Sequence, residues 1–173
     1  MPLEAQGKIE EAKFFLELVC QLEGNGQTLT RRTVQEEATY LVSALMNACY
    51  SVLEHLKVDI LSEVERTKGG AYKIRIENKL GQSVNDFKAR HPEIGVEQRR
   101  ISVHHRSVPI ESHTSGGGWG SSMYGTHMYG SGGMTELRFS DPPQQPIITT
   151  FKKDIRELEQ FMSDACERYL LEQ

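Results

Sequence analysis

Eight consecutive residues, Arg99-Arg100-Ile101-Ser102-Val103-His104-His105-Arg106, hold three arginines and two histidines. Arginine carries a permanent positive charge on a forked donor that matches phosphate. Histidine is the side chain that gains or loses a proton near neutrality. A cation that holds a phosphate, beside a group that moves a proton, is what cleaves a phosphodiester without a metal. The same residues also suit a solvated basic helix end, where Arg and His meet the helix dipole favourably.

Rival chemistries fare worse. His104 and His105 are adjacent and project to different sides of a helix, whereas a zinc site needs its ligands on one face. His113 and His127 stand in a Gly- and Ser-rich stretch with no cysteine near them, so no metal and no cofactor is expected. Gly116-Gly117-Gly118 and Gly130-Ser131-Gly132-Gly133 are not followed by Lys-Ser or Lys-Thr and do not join a strand to a helix, which leaves a phosphate loop unsupported. Cys49 and His55 are six residues apart on one helix, about 600° of rotation. They make a poor nucleophile–base pair, and Cys49 reads as a core thiol.

The chain around the basic stretch has 173 residues and a net charge of −4, which suits one domain over 1–173 and excludes a generally basic nucleic-acid binder. Contact with RNA must then come from a local patch. The segment from Lys88 to Arg106 is that patch, with Lys88, Arg90, Arg99, Arg100 and Arg106 set against Glu93 and Glu97. Cys20, Cys49 and Cys166 are odd in number and widely spaced, the pattern of free thiols in a reducing cytoplasm. No apolar run approaches the roughly 20 residues that span a membrane, and Met-Pro-Leu-Glu-Ala-Gln has no signal-peptide shape. A cytoplasmic protein without a membrane partner is expected.

Apolar periodicity predicts the positioning elements. A first helix runs over 8–23, with Gly24-Asn25-Gly26 as its exit. Thr30 or Thr33 caps a second over 34–57, and Thr33 with Glu36 has the capping-box spacing. Its stripe is rich in small residues (Ala38, Ser43, Ala44, Ala48, Ser51), which favours close helix packing, in a core or across a dimer face. Residues 59–66 continue this helix or form a short one, ended by Gly69-Gly70. A third helix is expected over 74–89. After His91-Pro92 a short one is expected over 92–105, carrying the basic stretch in its second half. Residues 107–112 and 134–139 can pair as a hairpin around the low-complexity stretch 114–133. The final helix is expected over 148–171, capped by Thr149 or Thr150. The fold class is therefore all-α: an up-and-down bundle of four to five helices, with a Gly-rich insertion over about 107–147, including a small β-hairpin, before the last helix.

Arg99-Arg100-Ile101-Ser102-Val103-His104 resembles the R-x4–6-H signature of the HEPN superfamily, small helical-bundle proteins of which many are metal-independent ribonucleases in toxin–antitoxin, phage-defence and RNA-processing systems. The small-residue run Tyr40-Leu41-Val42-Ser43-Ala44-Leu45-Met46-Asn47-Ala48-Cys49-Tyr50-Ser51-Val52 and the closing helix from Phe151 to Leu171 extend the resemblance over most of the chain, the Gly-rich insertion excepted. It implies an endoribonuclease with Arg99 and His104 as catalytic residues and Arg100, His105 and Arg106 as phosphate and RNA contacts. It also implies a homodimer whose two motifs face a shared cleft, and in a toxin setting an antitoxin partner protein. The residue after the motif arginine is usually Asn, Asp or His in the family, whereas here it is Arg100, and Arg100 with His105 satisfies the spacing as a second register. On a helix Arg99 and His104 differ by about 140°, while Arg100 and His104 share a face. A non-catalytic HEPN-like binding or scaffolding module is the alternative.

Overall fold

The computed structural model describes residues 4–26, 28–95, 110–115, 134–140 and 144–171. The described chain forms four helices: α1 (Glu4–Asn25), α2 (Val34–Lys68), α3 (Gly70–Arg90) and α4 (Ile147–Cys166), the last running into a π-helical turn, Glu167–Leu171. Strands β1 (Ile110–Ser115) and β2 (Met134–Phe139) form an antiparallel hairpin before α4. The mostly helical bundle with its small hairpin is the architecture expected from the apolar pattern.

Each boundary has a local cause. Thr33, rather than Thr30, caps α2: its hydroxyl accepts from Glu36 N at 3.3 Å and Glu36 Oε2 accepts from Thr33 N at 2.9 Å. The charged segment 59–66 continues α2, because Ile60, Leu61 and Val64 keep the apolar stripe buried through it. Gly69 ends the helix with φ 88° and ψ 164°, a conformation open to glycine alone, and α3 begins at the next residue. α4 starts at Ile147 behind Pro146, not at a threonine cap; the Thr150 hydroxyl instead donates to Pro146 O at 2.8 Å.

Side-chain pairs set the directions. Ala5 N donates to Asp59 and Lys88 reaches Glu54 at 2.8 Å, so α1 and α3 both run antiparallel to α2. Lys13 pairs with Glu159 at 2.8 Å and His91 with Asp154 at 2.8 Å, so α4 runs antiparallel to α1 and α3. The result is an up-down-up-down bundle. The core is the shared interior of the four helices, including Ile9, Val19, Leu45, Leu53, Leu80, Phe87, Phe151 and Leu158.

The hairpin closes one end of the bundle. Ile110 pairs with Phe139, and both are buried together with Leu137, the alternate inward residue of β2. Gln35 donates to Ile110 O at 2.8 Å, and Glu23 accepts from Leu137 N at 2.9 Å. The described part of β1 covers 110–112 of the expected 107–112 and extends it to Ser115; residues 107–109 lie outside the described residues.

Candidate functional site

Arg99, Arg100, His104, His105 and Arg106 all lie outside the described residues. The segment that carries them is bounded by two fixed points. One is the turn after α3, ending at Gly95; the other is Ile110, tied to the first turn of α2.

The turn after α3 differs from the expected helix start at Pro92. Ile94 N donates to His91 O at 3.1 Å and Gly95 N to Pro92 O at 3.2 Å, so residues 92–95 form successive tight turns. Ile94 is buried, and a Cβ on Gly95 would stand 3.0 Å from Lys88 O. The chain folds back against the end of α3 instead of starting a new helix at Pro92. The remainder of the expected 92–105 helix lies outside the described residues.

His91 fixes that fold-back. It is 2% exposed, caps α3 through its N–H to Phe87 O, and stacks on the Phe87 ring at 4.2 Å. Its Nδ1 donates to Asp154 Oδ1 at 2.8 Å, and Asp154 is itself 3% exposed. Its Nε2 stands 3.0 Å from Glu157 Oε2, close enough for an ion pair but off the line of a hydrogen bond. Among the described residues Nε2 and Asp154 Oδ2 therefore have no hydrogen-bond partner.

The electrostatics follow from burial. Burial pushes the Asp154 carboxyl above the ordinary aspartate range, against the opposing pull of the His91 hydrogen bond and charge and of Lys153. Burial likewise raises Glu93, and Asp154 adds to that rise. Asp154 and Glu157 address opposite ring nitrogens of His91 and so do not converge on one point. Among the described residues no group of three or more His, Cys, Asp or Glu is placed to hold a metal ion.

Nearer the start of α3, a cleft of about 800 Å³ opens between α3 and the π-helical turn that follows α4. Arg75, Lys79 and Arg168 line it, with Ile76 and Tyr169 as buried apolar walls. A second cleft of about 260 Å³ shares Ser83, Arg168 and Tyr169 with the first and reaches Arg90 at the end of α3.

The cysteines are free, Cys49 buried and Cys20 and Cys166 half-buried, and burial pushes all three thiols up, away from the nucleophilic thiolate. His55 faces Glu4 at 3.1 Å. Among the described residues no helix is long and apolar enough to cross a membrane.

Sequence reasoning passed over His91, taking His91-Pro92 as punctuation. The available signal was Asp154, a carboxylate on the apolar stripe of Phe151, Ile155 and Leu158, where a charge needs a buried partner. Compared with known proteins, the chain matches no family model, no curated protein and no solved structure.

Proposed function

We propose that the protein is a metal-independent endoribonuclease of the HEPN type, working as a homodimer in a toxin or defence role. The carrying observation is the spacing of Arg99 and His104, in sequence after α3 and before α4 of the described bundle. The up-down-up-down bundle agrees with the family's helical architecture, and the His91 anchor fixes the turn at 92–95, which precedes the motif in sequence.

In this reading the ribose 2′-oxygen attacks the adjacent phosphorus as the 5′-oxygen leaves, producing a 2′,3′-cyclic phosphate and a free 5′-hydroxyl. His104 moves a proton, and Arg99, with Arg100 or Arg106, holds the charge gathering on the phosphate oxygens. One histidine does not serve as base and acid in the same event, and a two-fold pair supplies the second. RNA is the substrate, and an antitoxin protein is the partner in a toxin setting.

The test is cleavage of total RNA in the presence of a chelator. His104→Ala is expected to lower the rate by about 10²–10⁴-fold with an unchanged melting temperature. RNA that is bound but never cut by the wild-type chain assigns the non-catalytic alternative. Full cleavage by His104→Ala overturns the assignment of that histidine.

A further inference from the structure

We infer that the groove between α3 and the end of the last helix with its π-helical turn is a track that holds the phosphate backbone of single-stranded RNA. The choice of RNA as the polymer rests on the functional reading above; the groove itself rests on its own geometry.

Charge is the first ground. Lys8, Lys13, Arg66, Lys73, Lys88 and Arg138 each pair with a carboxylate. Arg75, Lys79 and Arg168 do not: among the described residues none of the three has an ion-pair partner, and no carboxylate lines the larger cleft, although Arg168 shares the smaller one with Asp86 and Asp164. Arg75 and Lys79 stand four residues apart on one helix face, where like charges repel. A chain of net charge −4 gathers three cations around a cleft whose described lining holds no carboxylate, an arrangement that a bound anion relieves.

Shape is the second. Arg75, Lys79, Gln82, Asp86 and Arg90 follow the three- and four-residue spacing of one face of α3. From Arg75 to Arg90 that face measures about 22 Å. The larger cleft gives way to the smaller one along it, and the smaller reaches Arg90 at the end of α3. Asp86 and Asp164 in the smaller cleft accept from Gln82 and Gln160, both at 2.7 Å. A mononucleotide fills one cleft; a track with cations at both ends fits a polymer.

The test uses the full chain carrying His104→Ala, which stops cleavage, and an unstructured fluorescent 20-nucleotide RNA. Adding Arg75→Gln, Lys79→Gln and Arg168→Gln is expected to weaken binding about 100-fold at 0.1 M salt and to reduce the log–log salt slope by about 2, the loss of three single-strand phosphate contacts. Lys8→Gln, Lys13→Gln and Lys152→Gln together change the charge equally, and under 3-fold weakening is expected. Acetylation of wild-type lysines reads the same surface without a groove variant: RNA is expected to protect Lys79 and not Lys152. An unprotected Lys79, a groove variant that binds as tightly as its parent, inorganic phosphate as effective as the 20-mer, or preferential binding to anionic lipid vesicles would each overturn the inference. Groove-dependent binding without cleavage by the His104 chain keeps the groove and removes the ribonuclease. Cleavage that needs His104 but ignores the groove does the reverse.

Discussion

Replacing His91 by leucine leaves Asp154 charged, 3% exposed and stripped of the one hydrogen-bond partner it has among the described residues. Breaking a buried pair from one side costs about 3–5 kcal/mol, because the surviving charge is uncompensated. Loss of the 4.2 Å stack on Phe87 adds about 0.5–1.5 kcal/mol beyond the area term. For a chain of this size the pair term alone corresponds to a melting-temperature drop of about 6–20 °C. Asp154→Asn is expected to cost about 1 kcal/mol, since the amide oxygen still accepts from Nδ1 and no charge is buried. Replacing both residues by leucine is expected to recover most of the His91→Leu loss, because a buried pair exchanged for apolar side chains is close to neutral.

The assay is thermal and urea unfolding of the three variants across pH. The Asp154 carboxyl is raised by burial in the native chain, and without His91 it rises further. A carboxyl raised in the folded state favours folding below its unfolded pKa, and that favour is lost as pH rises through the folded value. The deficit of His91→Leu should therefore be smallest in acid and grow toward neutrality, by about 1.4 kcal/mol for each unit of added shift. A pH-independent deficit, or a double leucine variant no more stable than His91→Leu, refutes the buried-pair account.

Three further outcomes are expected. Glu37→Ala should cost on the order of 3 kcal/mol. Burial pushes that carboxyl up, but Leu29 N, Thr30 N and the Thr30 hydroxyl, at 2.8, 3.1 and 3.0 Å, outweigh it and hold it below the usual range. The stabilisation is present above the unfolded pKa and lost as pH falls through the lowered one, which a pH series of unfolding curves reads directly. Gly69→Ala should cost about 1–3 kcal/mol through backbone strain alone, since a Cβ there meets nothing within 4 Å; Gly24→Ala, with equal room and no positive φ, should cost less. A folded monomeric variant should lose RNA cleavage if two motifs share a cleft, as sedimentation and activity measured on one sample would show.

The bundle was legible because its signals are local. Ile9, Ala12, Leu16 and Val19 define the buried face of α1 by spacing alone, and Thr33 with Glu36 announces the start of α2. The joint at Gly69 was legible as an end but not as a one-residue joint; that depends on the backbone angle the glycine accepts. Only the start of the expected 92–105 helix differs, because proline after a polar residue is compatible with both a first helical turn and a tight turn. Ile94 decides between them by tucking under the end of α3, a tertiary event that periodicity does not encode. The cations of the groove were illegible for a related reason: Arg75 and Lys79 look like any solvated helix face until Arg168 arrives from the other end of the chain.

Asp154 shows where a sequence does disclose its tertiary partners. A carboxylate three residues after Phe151 and four before Leu158 sits inside an apolar stripe, and the cost of burying it alone requires a donor from another element. The donors able to reach inward without importing a second uncompensated charge are few, and histidine is the one that fits both a dry interior and a stacking ring. His91 lies 63 residues away and is followed by proline, so its own neighbourhood reads as a loop. The inference runs from the misplaced charge to the histidine and not the other way. Applied to α2, the same step takes Glu37, beside buried Ala38, to the backbone donors of the preceding loop. Both anomalies are charges that violate their own helix pattern, and each marks the contact that fixes a chain segment entering or leaving the bundle. For His91 the departing segment is the one that carries Arg99 and His104.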